Sequence, residues 1–192
     1  DSNDSNSNSK EVDAHRYVLF IGHEFNDYLN FASEFELEHG IAGEGKNGEI
    51  ELEQMYLEQN LAYKGLDNTF IKYGVFLIPV GIMNETHEPP TFYGVERTEV
   101  EKELGANTWW ESGVLAQTAV SKDADVTFAV HSSLSSTTGD IRSGRQKSSE
   151  QDASNVSYTA RVRYTGIAGM ELALWHAYQS GLDQTAAAGD VT

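Results

Sequence analysis

Polar and apolar residues alternate with a period close to two along most of this chain, which predicts strands rather than helices. The clearest case is 155–165. There Val156, Tyr158, Ala160, Val162 and Tyr164 share one face, and Ser157, Thr159, Arg161, Arg163 and Thr165 share the other. Residues 29–39 repeat the pattern, with Leu29, Phe31, Phe35 and Leu37 opposed to Asn30, Glu34, Glu36 and Glu38. Residues 170–179 set Met170, Leu172, Leu174 and Tyr178 against Glu171, Ala173, Ala177 and Gln179, and 125–131 set Val126, Phe128 and Val130 against Asp125, Thr127 and His131. Four blurrier segments, 16–25, 49–63, 69–80 and 109–120, bring the expectation to eight strands, most about ten residues long. Within 49–63 the phase slips near Met55, as a bulge would produce.

The connections alternate short and long. Tight-turn chemistry joins the strands in pairs at Asn26–Tyr28, Lys64–Asn68, Ser121–Ala124 and Gly166–Gly169. The other three connections, 40–48, 84–108 and 132–154, are long. Residues 1–12 are polar and of low complexity and read as a disordered tail, leaving 13–192 for the strands and their loops. An antiparallel up-and-down transmembrane β-barrel accounts for one polar and one apolar face per strand, short turns at one end and long loops at the other. A soluble secreted or periplasmic β-barrel or sandwich that binds a ligand would invert the faces and bury Tyr158, Val162 and Tyr164.

Composition narrows the function. The chain carries 30 Asp plus Glu against 13 Lys plus Arg, a formal net charge of −17, and no cysteine. Such a charge opposes a nucleic-acid partner, and the missing thiols exclude disulfide frameworks and thiolate metal sites. No apolar run reaches the roughly 18 residues of a spanning helix, a limit that does not apply to strands. In a barrel with its apolar face outward, Glu34, Glu36, Glu38, Lys72, Arg161 and Arg163 point into a wet interior. Aromatics near strand ends suit the two interfaces of a membrane, among them Tyr17, Tyr28, Tyr63, Trp109, Trp110, Tyr164 and Tyr178.

Residues 81–113, GIMNETHEPPTFYGVERTEVEKELGANTWWESG, are the most specific stretch. Pro89-Pro90 sets an extended turn, Phe92-Tyr93 supplies an aromatic anchor, and 96–104 has a helix-forming pattern with Val100 and Leu104 on one side. Glu85, His87 and Glu88 carry metal-ligating groups, but an acidic loop that is solvated or paired with arginine explains them more simply. The words GHEFNDYLNFASEFELEH (22–39), GEIELEQMYLE (48–58), GVFLIPVGIMNETHEPPTFYGVER (74–97), TWWESGV (108–114), RSGRQ (142–146) and YTARVRYTGIAGMELA (158–173) together resemble bacterial outer-membrane porins of the phosphate-selective porin O and P type, or closely related proteobacterial porins. The resemblance implies a β-barrel in the outer membrane, passing small hydrophilic solutes by passive diffusion, commonly as a homotrimer. Such porins are longer and have more strands, and they usually end on an aromatic residue where this chain has Thr192. The chain therefore reads as an N-terminal portion of a larger barrel.

On that reading the pore-lining or constriction residues are Glu34, Glu36, Lys72, Glu96, Arg97, Arg161 and Arg163, with Trp109, Trp110 and Tyr164 as interfacial aromatics. Phosphate selectivity needs an inward ladder of cations. Only Arg161 and Arg163 form an adjacent same-face pair, so a general or weakly cation-preferring pore fits the charge better. No nucleophile elbow or phosphate loop is present. The carboxylates Glu34, Glu36 and Glu38, spaced by two, read as a polar strand face rather than a glycosidase pair. The histidines at 15, 23, 39, 87, 131 and 176 read as ordinary polar or interfacial residues. No catalytic residue, metal or cofactor is expected.

Overall fold

The structure, a computed structural model, describes residues 12–40, 45, 48–86, 91, 107–135, 141–151 and 154–179. Strands β1 (Arg16–Asn26), β2 (Leu29–Glu38), β3 (Glu49–Asn60), β4 (Thr69–Leu77), β5 (Trp110–Ser121), β6 (Ala124–Ser132), β7 (Val156–Ile167) and β8 (Met170–Gln179) form one antiparallel sheet in sequence order. All short turns therefore fall at one end of the sheet and all long connections at the other. Periodicity locates most plainly the strands with one buried and one exposed face, as in β7, whereas β1 is exposed along almost its whole length.

The slip expected near Met55 is a bulge at Glu53: Gln54 pairs with Glu34 and Leu52 with Phe35, leaving Glu53 as the extra residue. Further register shifts fall between Glu24 and Asn26, Ala119 and Ser121, and Tyr164 and Ile167, all beside short turns, where they sharpen the local twist. β4 ends at Leu77, earlier than the expected 80. Pro79 has no N–H for a ladder, and the Ile78 amide instead donates to the Trp109 carbonyl at 2.9 Å. The chain then leaves the sheet and runs across its buried side through the 3-10 turn Met83–Glu85. A helical turn, Ile141–Gly144, interrupts the expected loop 132–154.

The buried side is the polar one. Glu34 is 1% exposed and Arg161 2%, whereas Tyr158, Val162 and Tyr164 are 39%, 50% and 42% exposed. Leu52, Leu57, Val114, Phe128, Leu172 and Leu174 are exposed with them. The burial of Tyr158, Val162 and Tyr164 that a soluble barrel requires is not found. The apolar core is small and lies on the inner side near the long connections. Phe76, Ile78, Val80, Trp109, Leu115 and Ala129 form it, with Trp175 of β8 packed against it. Burying each large side chain contributes about 1.5–3 kcal/mol, so this cluster fixes the segment after β4 against the sheet.

The sheet is open. β1 pairs with β2 and β8 with β7, and no ladder joins β1 to β8 among the described residues. Eight strands closed on themselves leave an interior just wide enough for side chains. Here the inner side holds two backbone segments, 78–86 and 141–151, in addition to the side chains. No helix among the described residues is long and apolar enough to cross a membrane, a fact that does not bear on strands.

Candidate functional site: the charged inner face

The inner face carries charged groups in ordered pairs. At the β1–β3 side, Arg16 Nε lies 2.6 Å from Glu36 Oε1, and its Nη2 donates to Glu38 Oε1 at 2.6 Å. Gln54 Nε2 donates to Glu34 Oε2 at 2.6 Å. Lys147 pairs with Glu51, and its Nζ sits 4.3 Å over the Trp110 ring. Lys72 of β4 faces Glu58 at 4.0 Å and lies 4.3 Å over the Tyr56 ring. Across the sheet, Arg163 Nε donates to Asp125 Oδ2 at 2.7 Å, and Arg161 of β7 pairs with Glu85 in the segment that follows β4. The carboxylates thus concentrate on β2 and β3, and the arginines stand on β1 and β7. Between them lies a cavity of about 180 Å³ lined by Gln54, Lys72, Leu77, Glu85, Leu115 and Gln117. Ion pairs and side-chain amides around an open polar space suit hydrated ions and small polar solutes.

Two buried polar residues hold the segments that narrow this space. Asn84 Nδ2 donates to the carbonyls of Ile78 (2.8 Å) and Trp109 (2.7 Å), and its Oδ1 accepts from the Trp109 amide (2.9 Å). One side chain therefore clamps the exit of β4 to the entry of β5. Glu111 accepts from Ser132 Oγ (2.9 Å), the Gln146 amide (2.9 Å), Trp109 Nε1 (3.2 Å) and Gln151 Nε2. A buried carboxylate requires such donors, and this one ties 141–151 to β5. Arg145 strengthens the tie by donating to the Asn107 and Thr108 carbonyls. His131 of β6 donates from Nδ1 to the Ser132 carbonyl at 2.8 Å and meets Thr159 Oγ1 at 2.8 Å through Nε2.

A separate exposed group stands at the long-connection end of β1 and β2. Asp13 Oδ2 is 2.7 Å from His39 Nδ1 and 3.6 Å from His15 Nδ1. The hydrogen bond between Asp13 and His39 holds the His39 pKa above, and the Asp13 pKa below, their ordinary values. The contact therefore stabilises the fold most between about pH 4 and 6.5. It is lost as pH rises through the raised His39 value, and as pH falls through the lowered Asp13 value. In chelator-treated protein, an NMR titration is expected to give His39 a higher midpoint than an ordinary histidine, and Asp13→Asn is expected to bring it down. An unchanged midpoint in that variant would disprove the pairing.

Of the residues expected to line a pore, Glu34, Glu36 and Arg161 are buried on the inner face, and Lys72 and Arg163 lie there half-buried. Glu96 and Arg97 lie outside the described residues, as do His87, Glu88, the Pro89-Pro90 pair, Phe92, Tyr93 and the expected helix at 96–104. Glu85 is indeed paired with arginine. Among the aromatics expected at the interfaces, Tyr164 is exposed, whereas Trp109 and Trp110 are buried, 2% and 1% exposed. Because β4 leaves the sheet at Leu77, Ile78 and Val80 pack with Trp109 in the core, and Lys147 lies over the Trp110 ring. Sequence reading passed over Asn84, Glu111 and the grouping of Asp13, His15 and His39. The one available signal was a carboxylate, Glu111, set directly after two tryptophans.

No protein-family model matches the chain, and no solved structure matches it. An uncharacterized protein of Aquifex aeolicus (strain VF5) is 41% identical over 114 residues, 58% of this chain and 25% of its own length. The chain thus spans about a quarter of the length of the curated relative it matches.

Proposed function

We propose that the chain is part of an outer-membrane β-barrel porin, a channel for passive diffusion of small hydrophilic solutes or ions. The observation that carries this reading is the reversed polarity of the sheet: large apolar side chains are exposed on one face while charged pairs are buried on the other. Water penalises the first and a soluble core the second, whereas lipid outside and water inside favour both. The two open edges also need partners, and a relative about fourfold longer than the matched segment has room for further strands. The resemblance to phosphate-selective porins of the O and P type points the same way and suggests a homotrimer in contact with outer-membrane lipid.

In this role the segment 78–86 narrows the path, with Glu85 and Arg161 at its wall, and residues 84–108 supply the constriction. The excess of inner carboxylates on β2 and β3 favours a weak preference for cations over phosphate. The full-length gene product in a planar bilayer should give stepwise conductance. Its reversal potential in a salt gradient should carry the sign of a cation preference. Zero conductance from an inserted, heat-modifiable barrel would overturn the channel. A purified protein that stays monodisperse without detergent would overturn the membrane reading.

A further inference from the structure

We propose that Asp13, His15 and His39 form a binding site for a divalent transition-metal ion of the Zn²⁺ and Ni²⁺ class, at the long-connection end of the β1–β2 hairpin. The site stands apart from the inner face and does not depend on the channel reading.

The backbone builds it. The last cross-strand pair of the hairpin is Arg16 with Glu38, and the next pair outward is His15 with His39, locked by the His39 amide donating to the His15 carbonyl at 2.9 Å. Directly opposed residues bring their Cβ atoms within about 5.5 Å, close enough for both imidazoles to reach one ion. Asp13, two residues before His15, returns to the same side of an extended chain. His39 sits at φ 53°, a left-handed turn out of β2 that brings its Nδ1 to Asp13. The three ligand atoms lie within 4.8 Å of one another, and no other group of three or more potential ligands is this close among the described residues.

The donor chemistry is selective. Two imidazoles and one carboxylate suit Zn²⁺, Ni²⁺, Cu²⁺ or Fe²⁺ and not Ca²⁺ or Mg²⁺, which take oxygen donors. Bonds of about 2.0–2.2 Å place two donors on a tetrahedral ion roughly 3.3–3.5 Å apart. The separations of 2.7 and 3.6 Å from Asp13 to the two histidines bracket that value. Glu38 and Glu49 bear on His39 electrostatically, and this negative surround attracts a cation. Three protein ligands leave a position open for water. With all three side chains exposed, the ion would bind reversibly and staple the segment before β1 to the exit of β2.

Tag-free protein, stripped with chelator and titrated with Zn²⁺ by calorimetry, should bind one ion at this site. His15→Gln, His39→Asn and Asp13→Asn should each weaken it by at least the roughly 10–100-fold that loss of an outer-shell partner costs, His39→Asn being chosen because asparagine tolerates the left-handed backbone. Substoichiometric Ni²⁺ should broaden the His15 and His39 ring resonances before those of His23 and His176. If the three variants bind Zn²⁺ as the parent does, the ion sits elsewhere, for instance on the acidic residues of 1–11, and the proposal fails. It fails equally if Ca²⁺ competes as well as Zn²⁺, or if Ni²⁺ broadens all histidines alike.

Discussion

Gly113→Ala is expected to destabilise the protein by about 3 kcal/mol, the upper part of the range for forcing extra atoms into a packed site. A Cβ at this position would lie 2.2 Å from the Val130 carbonyl oxygen and 2.7 Å from His131 Cα. Both are backbone atoms of β6, which ladders hold to β5 on one side and β7 on the other. Neither neighbour can yield by turning a side chain. Gly113 faces Gly74 across β4 and β5. A Cβ on Gly74 would lie 2.2 Å from the Met55 carbonyl oxygen, and its φ of +135° is itself a glycine conformation. The two glycines let four strands, β3 to β6, bend closely past one another just where β4 prepares to leave the sheet. Unfolding in urea, followed by tryptophan fluorescence, measures the effect. Gly22→Ala is the control, since its nearest contact would be an ordinary 3.7 Å to the Phe31 carbonyl oxygen. A Gly113→Ala variant as stable as that control would refute the steric argument.

Asn84→Ala should have a comparable cost, about 1–3 kcal/mol, the cost of leaving one buried donor unmade. The Trp109 carbonyl keeps its bond from the Ile78 amide and the Ile78 carbonyl keeps its bond from the Val80 amide, but the buried Trp109 amide loses the Asn84 oxygen that accepts from it. Asn84→Asp should not rescue. Its carboxylate can still accept from the Trp109 amide but faces the two carbonyls that Nδ2 served. Trp109, buried beside the clamp, reports the change directly, and its emission should shift to the red as water enters. The adjacent Glu85 should also lose its fixed approach to Arg161. If the proposed channel role holds, that predicts altered single-channel conductance of the full-length protein. If Trp109 emission and stability match the parent in both variants, the clamp does not hold the segment.

The strands were legible because their signal is local. Alternation in 29–39 and 155–165 follows from a sheet with two unlike faces, and that information sits in neighbouring residues. The turn between Tyr164 and Met170 is equally local, with Gly166 and Gly169 bracketing it. Glu34, Glu36, Lys72, Arg161 and Arg163 could be assigned to one shared face for the same reason. The two tryptophans show where this reasoning stops. Trp109 and Trp110 stand at a strand end, as interfacial aromatics do. Their burial depends on Pro79 ending β4 some thirty residues earlier and on Lys147 arriving from almost forty residues later. The trio of Asp13, His15 and His39 was invisible for a similar reason: its members belong to one site only once the register Arg16 to Glu38 is known.

By itself the sequence determined eight strands, their antiparallel order, the end at which each long connection falls and the polarity of each face, because period and turn chemistry are written within a dozen residues. Which face turns inward, that the sheet stays open, and that Asn84, Glu111 and Arg161 draw distant segments across its charged side were decided only by the tertiary structure. Alternation is symmetric under exchange of inside and outside. Only the contacts between residues remote in the chain break that symmetry.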